Sequence, residues 1–88
     1  MNIFYVYILV STKRQNWSYV GSTANIERRF KEHMYGKVKS TKGMRPLKLI
    51  YTKKYSSRET ALKQELYLKS GSGREEKQNI ITHCSGIV

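Results

Sequence analysis

The stretch IFYVYILV, residues 3–10, is the longest apolar run of the chain and is rich in β-branched and aromatic side chains. Such residues favour a strand that is buried on both faces, so we predict that this strand is central in its sheet. The polar residues 11–16 predict a hairpin loop. Residues 17–21 then predict a short second strand, close enough in sequence to pair antiparallel with the first.

A helix is predicted after the second strand, over Asn25–Tyr35. Its core-facing stripe consists of apolar residues at every fourth position: Ile26, Phe30 and Met34. Asn25 is of a type that caps helix N-termini, and a glycine such as Gly36 commonly follows the last turn. The sequence therefore predicts both ends of this helix.

The second half of the chain predicts one more strand and two more helices. A basic loop over residues 36–46 leads to a strand over Leu47–Tyr55. The next helix begins at the sequence SSRE, residues 56–59, which has the S-x-x-E form of a capping box, and it ends near Lys69. Residues 74–82 predict a short third helix.

The order of these elements, β-β-α-β-α-α, indicates the fold class. We predict an α+β fold, in which helices pack on a three-stranded antiparallel sheet. With 88 residues, 39% hydrophobic and 26% charged, the chain has the size and composition of one small folded domain, over residues 1–88.

Positive charge is the most unusual property of the composition. The chain has a formal net charge of +11, and its six acidic residues are all glutamates. From His33 to Arg58 there are eight cationic residues and no acid. This one-sided field predicts a polyanionic partner, DNA or RNA. A membrane is disfavoured, because the basic residues fall in a loop and a strand rather than on an amphipathic helix.

The single cysteine and the short apolar run indicate the compartment. Cys84 cannot form a disulfide within the chain, which fits a reducing environment. The run over residues 3–10 is far shorter than the roughly 20 residues that span a bilayer. It also lacks the preceding basic segment of a signal peptide. We therefore expect a cytoplasmic protein without a membrane segment.

Two tyrosines, an arginine and a histidine are predicted to meet at one edge of the sheet. If the first two strands pair, Tyr7 and Tyr19 lie side by side, and Gly21 leaves room for a close approach by backbone or ligand. Arg29 and His33 are four residues apart on the first helix, so they share one of its faces. That face borders the apolar stripe, at the margin of the sheet.

Glu65 is unusual because it falls within or beside the apolar stripe of the second helix. A carboxylate in such a place is costly unless a cation binds it. Either a divalent metal ion or a basic side chain would satisfy this requirement. Glu65 is therefore a candidate metal ligand.

Each of these residues also has an ordinary structural explanation. Tyrosines in strands usually serve in packing, and an arginine in a basic helix is usually solvated or positions a phosphate. His33 could instead cap the C-terminus of its helix. Glu65 could pair with Lys69, which follows it by four residues.

Taken together, these residues resemble the GIY-YIG nuclease family. The two motifs that name the family correspond to Tyr5-Val6-Tyr7 and Tyr19-Val20-Gly21. The family arginine, ten residues after the tyrosine of the second motif, matches Arg29, and the family glutamate on the following helix matches Glu65. The likeness covers about residues 3–77 and is greatest to the small single-domain bacterial members.

The resemblance implies hydrolysis of a phosphodiester with one divalent metal ion, Mg²⁺ or Mn²⁺. Glu65 would hold the metal, and Arg29 would clamp the scissile phosphate. Tyr7, with a pKa lowered by nearby cations, would activate the attacking water. Tyr19 would position the water or the phosphate, and His33 would take the proton from Tyr7.

The chain departs from the family pattern in both motifs, where Val6 and Val20 stand in place of isoleucine, and at further positions. Tyr5 stands where the first motif has glycine, a common variant in the small members. Larger members carry a late asparagine in the site, for which Asn79 is the nearby candidate.

The small number of acids agrees with a single metal, because a two-metal site would need more carboxylate ligands.

The favoured function is therefore a metal-dependent DNA endonuclease, in DNA repair or recombination. The alternative is a basic nucleic-acid-binding module of the same fold without useful catalysis. An RNA-associated protein is a third hypothesis, since phosphate contacts do not distinguish RNA from DNA. We expect a monomer, with specificity that depends on DNA shape or on a partner protein.

Nucleic-acid contacts are predicted at basic residues in the loop, in the third strand and at the end of the second helix. They are Lys37, Lys39, Lys42, Arg45, Lys48 and Lys69. If about five phosphates are neutralised, a plot of the logarithm of the DNA association constant against the logarithm of salt concentration should have a slope of about −4.5. Binding titrations at several salt concentrations measure this slope. Affinity that is independent of salt would contradict the predicted phosphate contacts.

Overall fold

The computed structural model describes residues 3–85, with side chains as far as His83. The strands are β1 (Phe4–Ser11), β2 (Ser18–Thr23) and β3 (Leu47–Tyr55). The helices are α1 (Ile26–Met34), α2 (Arg58–Lys69) and α3 (Arg74–Ser85). The element order confirms the predicted α+β fold. The Cys84 side chain, on which the expected compartment partly rested, lies outside the described residues.

The sheet has the strand order β2-β1-β3, and both pairings are antiparallel. β1 is therefore the central strand, as its apolar sequence predicts, and its residues 6–9 are all buried. In the β1–β2 register Tyr7 lies opposite Gly21, and Leu9 lies opposite Tyr19. This register places the two predicted tyrosines on neighbouring strands and on the same face, diagonally across two pairs of the ladder.

The sheet separates two apolar clusters, one on each face. Because successive side chains of a strand point to opposite faces, Val6 and Ile8 belong to one cluster, and Tyr7 and Leu9 belong to the other. The first cluster is covered by residues of α2 and α3: Ala61, Leu68, Ile80 and Ile81. The second is covered by residues of α1, Ile26 and Phe30. Tyr7 thus reaches the layer between the sheet and α1.

Both predicted ends of α1 are confirmed, but one residue of its predicted stripe is not in the core. The Asn25 side chain accepts a hydrogen bond from the Arg28 backbone N–H at 3.0 Å. Gly36 has φ +76°, in the left-handed region that glycine adopts without strain. Met34 is 37% exposed, because in the last turn of α1 the neighbouring His33, which is fully buried, packs on the sheet instead.

α2 begins one residue later than the predicted capping box requires. Ser57, not Ser56, is the N-cap, and its hydroxyl accepts from the Thr60 backbone N–H at 3.1 Å. Glu59 is therefore the second helical residue, so the S-x-x-E box is wrong. Two adjacent serines can each cap a helix, so the pattern alone does not decide between them.

The buried side of α2 is narrower than its leucines suggest. Ala61 and Leu68 are buried against the sheet, whereas Leu62 and Leu66 are exposed. Glu65 lies on the buried side, with 14% of its side chain exposed. The prediction that Glu65 borders the core is therefore confirmed.

The basic loop over residues 36–46 folds back on the sheet and on the end of α1. It contains a turn of 3₁₀ helix, Lys42–Met44. The Ser11 hydroxyl donates to the Met44 carbonyl at 2.7 Å, and the Thr12 N–H donates to the Pro46 carbonyl at 2.9 Å. These bonds attach the loop to the end of β1.

The two kinds of leucine on α2 predict very different effects on stability. Leu68→Ala removes a side chain that is 0% exposed, so the free energy of unfolding should fall by about 2–5 kcal/mol. Leu66→Ala, with the leucine 57% exposed, should change it by at most about 0.5 kcal/mol. Chemical denaturation of both variants measures the difference. Similar losses in the two variants would contradict the orientation of α2.

Candidate active site

Three aromatic side chains meet where β2 and α1 approach the central strand. The ring centroids of Tyr7 and Tyr19 are 6.3 Å apart, and those of Tyr7 and His33 are 5.6 Å apart. The Tyr19 and His33 rings are 5.2 Å apart. The structure therefore brings together the tyrosines and the histidine that the sequence predicts at this edge.

Gly21 makes this arrangement possible. A Cβ atom at position 21 would lie 2.5 Å from the Tyr7 hydroxyl oxygen and 3.0 Å from Cε2 of Tyr19. Contacts this short between non-bonded heavy atoms are repulsive. A glycine is therefore needed in the second motif because the Tyr7 hydroxyl occupies the place of a side chain. The backbone at this position does not require an unusual conformation.

His33 is the centre of a buried hydrogen-bonded chain. Its Nε2 lies 2.8 Å from the Tyr7 hydroxyl oxygen, and its Nδ1 lies 2.8 Å from the hydroxyl oxygen of Thr41. Both His33 and Thr41 are fully buried. The interpretation of His33 as a helix cap is therefore wrong, because both ring nitrogens bind side chains from other parts of the chain.

The tautomer of His33 sets the direction of both hydrogen bonds. The Thr41 hydroxyl also lies 3.4 Å from the Val38 carbonyl oxygen, so it can donate there while its oxygen accepts from Nδ1–H of His33. In that tautomer Nε2 is unprotonated and accepts the hydroxyl proton of Tyr7. The chain thus runs from Tyr7 through His33 to Thr41.

Burial sets the charge of the two central groups. Burial raises the pKa of Tyr7 to about 12, and the neighbouring Arg29 guanidinium offsets this only in part. The expected lowering of the Tyr7 pKa by cations is therefore wrong, because loss of hydration penalises the phenolate more than the arginine stabilises it. Burial and the charge of Arg29 also lower the pKa of His33. Both groups are neutral at pH 7.

Arg29 lies beside Tyr7 and is paired with a carboxylate of its own helix. Its Nη1 is 3.0 Å from Oε1 of Glu32, and the arginine side chain is 36% exposed. This hydrogen bond raises the pKa of Arg29 and lowers that of Glu32. Only one of the five N–H groups of a guanidinium is needed for such a contact, so Arg29 retains donors for a phosphate.

Glu65 has two partners, one on each oxygen. The Ser22 hydroxyl donates to Oε1 at 2.5 Å, and the Lys69 ammonium donates to Oε2 at 2.7 Å. The expected pairing with Lys69 is therefore present. Lys69 also lies over the Tyr19 ring, with its Nζ 5.5 Å from the centroid. These contacts place Glu65 next to the aromatic group.

The donors around Glu65 fit one kind of metal site. Among the described residues no three histidine, cysteine, aspartate or glutamate side chains come together to enclose a metal ion. A Mg²⁺ ion that keeps several waters and binds phosphate oxygens needs only one or two carboxylates. A single carboxylate such as Glu65 meets this requirement. Its Oε2 binds the Lys69 ammonium, which a metal ion would have to displace.

The predicted nucleic-acid residues have different surroundings. The exposed ones are Lys37, Lys39, Lys42, Lys48 and Lys69. Arg45 instead donates from Nε to the Lys42 carbonyl at 3.0 Å and from Nη1 to the Met34 carbonyl at 3.5 Å. Its guanidinium also lies against Gly36. Arg45 thus attaches the loop to the end of α1. The charge of Arg45 predicted a nucleic-acid contact and not this structural role.

Sequence patterns missed two residues of this site and left the place of Asn79 undecided. Thr41 and Ser22 bind His33 and Glu65 through hydroxyl groups. A hydroxyl in a loop or at a strand edge carries no periodic signal, so only its partners identify it. Asn79 is exposed on α3, whose main contacts are with β3 and α2.

Comparison with known proteins identifies the family. Residues 3–79 match the GIY-YIG catalytic domain. The chain belongs to the GIY-YIG family. It is 41% identical over 78 residues to a UPF0213 protein of Syntrophus aciditrophicus, covering 86% of this chain and 87% of the relative. It is 36% identical over 83 residues to a UPF0213 protein of Limosilactobacillus reuteri, covering 91% of this chain and 84% of the relative.

A solved structure agrees with this GIY-YIG assignment. The solution NMR structure of the UPF0213 protein BH0048 from Bacillus halodurans is similar to this chain, with a TM-score of 0.56 and 34% identity. The match covers 93% of this chain and 86% of that one. The GIY-YIG family supports a nuclease-type function. In the part of the chain that the structure describes, no helix is long and apolar enough to cross a bilayer.

His33 should make the stability of the fold depend on pH. Its folded pKa is below the ordinary value of 6.5, so the unfolded chain binds the proton first as pH falls. The free energy of unfolding should therefore keep the full contribution of His33 above pH 6.5 and lose it on acidification below that value. The slope from this residue should be at most about 1.4 kcal/mol per pH unit.

Urea unfolding over this pH interval measures the effect. His33→Gln should remove the His33 part of the slope. His83→Gln should retain it, since His83 is exposed on α3. An identical slope in the wild type and in His33→Gln would contradict the buried neutral histidine.

Proposed function

We propose that this protein is a metal-dependent DNA endonuclease that hydrolyses phosphodiester bonds. The observation that carries the proposal is the buried chain from Tyr7 through His33 to Thr41. Strand packing alone needs neither a histidine under a tyrosine hydroxyl nor a threonine that orients the histidine. An acceptor behind a hydroxyl is the arrangement that moves a proton.

Tyr7 is suited to transferring a proton rather than to holding a negative charge. As the oxygen of a water bonds to phosphorus, a water proton moves to the Tyr7 hydroxyl, and Tyr7 gives its own proton to Nε2 of His33. The bond between phosphorus and the leaving sugar oxygen breaks, and that oxygen takes a proton from solvent. Thr41, which lies 2.8 Å from Nδ1, would keep Nε2 free for this transfer by accepting from Nδ1–H.

Arg29 is the group that would bring the phosphate to Tyr7. Tyr7 is only 1% exposed, so a phosphate can approach it only next to a neighbouring side chain that is exposed to solvent. The Arg29 guanidinium is such a neighbour, and a bidentate contact with phosphate oxygens would stabilise the charge that grows during attack. Glu32 orients the guanidinium until a phosphate competes for it. Tyr19, whose ring packs against Tyr7 and His33, would position the water or the phosphate.

Glu65 would hold one Mg²⁺ or Mn²⁺ ion. When bound, the metal supplies positive charge that stabilises the phosphate and the leaving oxygen. Lys69 must release Oε2 first, and its side chain is exposed enough to move. Ser22 would keep its hydrogen bond to Oε1 and hold the carboxylate in place.

The remaining parts of the proposal concern partners and setting. The net charge of +11 supports a nucleic-acid substrate, and we propose DNA, in repair or recombination. Three further points stay predictions. The protein is a monomer with one domain over residues 1–88, it is located in the cytoplasm, and its specificity depends on DNA shape or on a partner protein. One observation favours the alternative, a binding module without useful catalysis: Glu65 is already paired with Lys69.

A nicking assay with supercoiled plasmid tests the proposal. Wild-type protein should nick the plasmid with Mg²⁺ or Mn²⁺ and not with EDTA. Glu65→Gln, which removes the charge but keeps the shape, should lower the rate by about 100-fold or more, the scale for loss of an electrostatic group in a catalytic site. Glu59→Gln removes the same charge from an exposed position of α2 and should leave the rate unchanged.

The outcomes separate the two functions. Metal-dependent nicking that is lost in Glu65→Gln and retained in Glu59→Gln supports the endonuclease. Salt-sensitive DNA binding without nicking by any of the three proteins supports the binding module instead. Equal nicking by the wild type and Glu65→Gln would reject Glu65 as the metal ligand.

A further inference from the structure

A cleft of about 380 Å³ opens beside the candidate active site, between β1, the end of β2, α1 and α2. Ser22 and Arg29 line this cleft and also belong to the site. The cleft is therefore continuous with the place where the phosphate would bind. It lies toward the first turns of α1 and α2, whereas the basic loop follows the last turn of α1.

Positive charge dominates the cleft. Three arginines line it, Arg28, Arg29 and Arg58, with Glu32 as the only carboxylate among its lining residues. Within residues 3–85, Arg28 and Arg58 form no ion pair at 4 Å or less. Both side chains are exposed, so these two guanidinium groups can bind an anionic ligand without first leaving a carboxylate.

The cleft also has a flat stacking surface. The Arg58 guanidinium lies over the Phe4 ring, with its Cζ 5.6 Å from the ring centroid. Ala61 and the exposed Leu62 extend the apolar wall. Inorganic phosphate would contact the arginines but not this wall. A nucleotide would contact both, because arginine and aromatic planes stack on bases while other arginines bind phosphate.

We propose that this cleft binds one unpaired nucleotide next to the scissile phosphate, with its base stacked on Arg58 and its phosphate held by Arg28. This inference rests on the proposed endonuclease function. A base in a duplex is stacked and paired, so only an unpaired nucleotide can place its base against a protein wall. The protein would therefore favour DNA with an unpaired nucleotide, such as a branch point or a frayed end.

DNA binding in EDTA tests this preference without requiring cleavage. Two fluorescent DNA hairpins share one stem, which a non-nucleotide linker closes so that the loop offers no bases, and one of them carries a single unpaired nucleotide within the stem. Anisotropy titrations at one salt concentration give Kd for each. The wild type should bind the hairpin with the unpaired nucleotide about fivefold more tightly or better, the lower range for stacking of one base.

Conservative variants separate stacking from charge. Arg58→Lys keeps the charge but loses the planar guanidinium, so it should bind the paired hairpin as the wild type does and lose the preference. Arg28→Gln should weaken binding of the hairpin with the unpaired nucleotide more than that of the paired hairpin. The matched controls are Arg74→Lys and Arg74→Gln, since Arg74 is exposed on α3 and outside the cleft. Both should keep the preference.

Each result decides the inference. No preference in the wild type, or a preference that survives Arg58→Lys, overturns it. A preference that is lost in Arg58→Lys and kept in Arg74→Lys supports it. If the preference behaves as expected but the plasmid is never nicked, the nucleotide site stands and the endonuclease function fails. If nicking requires Glu65 but no preference exists, the endonuclease stands and the nucleotide site fails.

Discussion

The hydrogen bond between Tyr7 and His33 joins the central strand to the helix that covers it, and both partners are buried. Loss of either partner would leave a buried polar group unsatisfied, at a cost of about 1–3 kcal/mol. The bond exists only because Gly21 has no side chain that would displace the Tyr7 hydroxyl. Packing and chemistry therefore depend on the same atoms, and the glycine of the second motif serves both.

Burial also explains why the site has neutral groups at its centre and charged groups at its rim. Arg29 and Glu65 each have an opposite charge on their own helix, Glu32 and Lys69. The pair of Arg29 and Glu32 lies at the surface, where solvent screens it, so a phosphate can replace Glu32 at low cost. Glu65 is mostly buried, so a divalent cation would have to replace the charge of Lys69 rather than leave the carboxylate unpaired. The pairs keep the charged groups in position without blocking them.

Patterns of apolar residues predicted the elements better than they predicted the surfaces that become buried. An apolar run, helical spacing and capping residues indicated the strands and α-helices, and β3 has the predicted bounds. Met34, Leu62 and Leu66 fit helical stripes but are exposed, because His33 on α1 and Ala61 and Leu68 on α2 are buried instead. The capping box failed because either of two adjacent serines can cap a helix, and the pattern does not distinguish them.

The sequence by itself determined the α+β fold, the central position of β1 and the residues that meet at the β2 edge. Strand alternation, helical spacing and motif order are local properties, so the chain specifies them directly. Only the tertiary structure decided that His33 is buried, that Thr41 orients it, and that the pKa of Tyr7 rises rather than falls. These properties depend on the water excluded when α1 packs on the sheet. The spacing of residues along the chain does not show how much water each side chain loses when the protein folds.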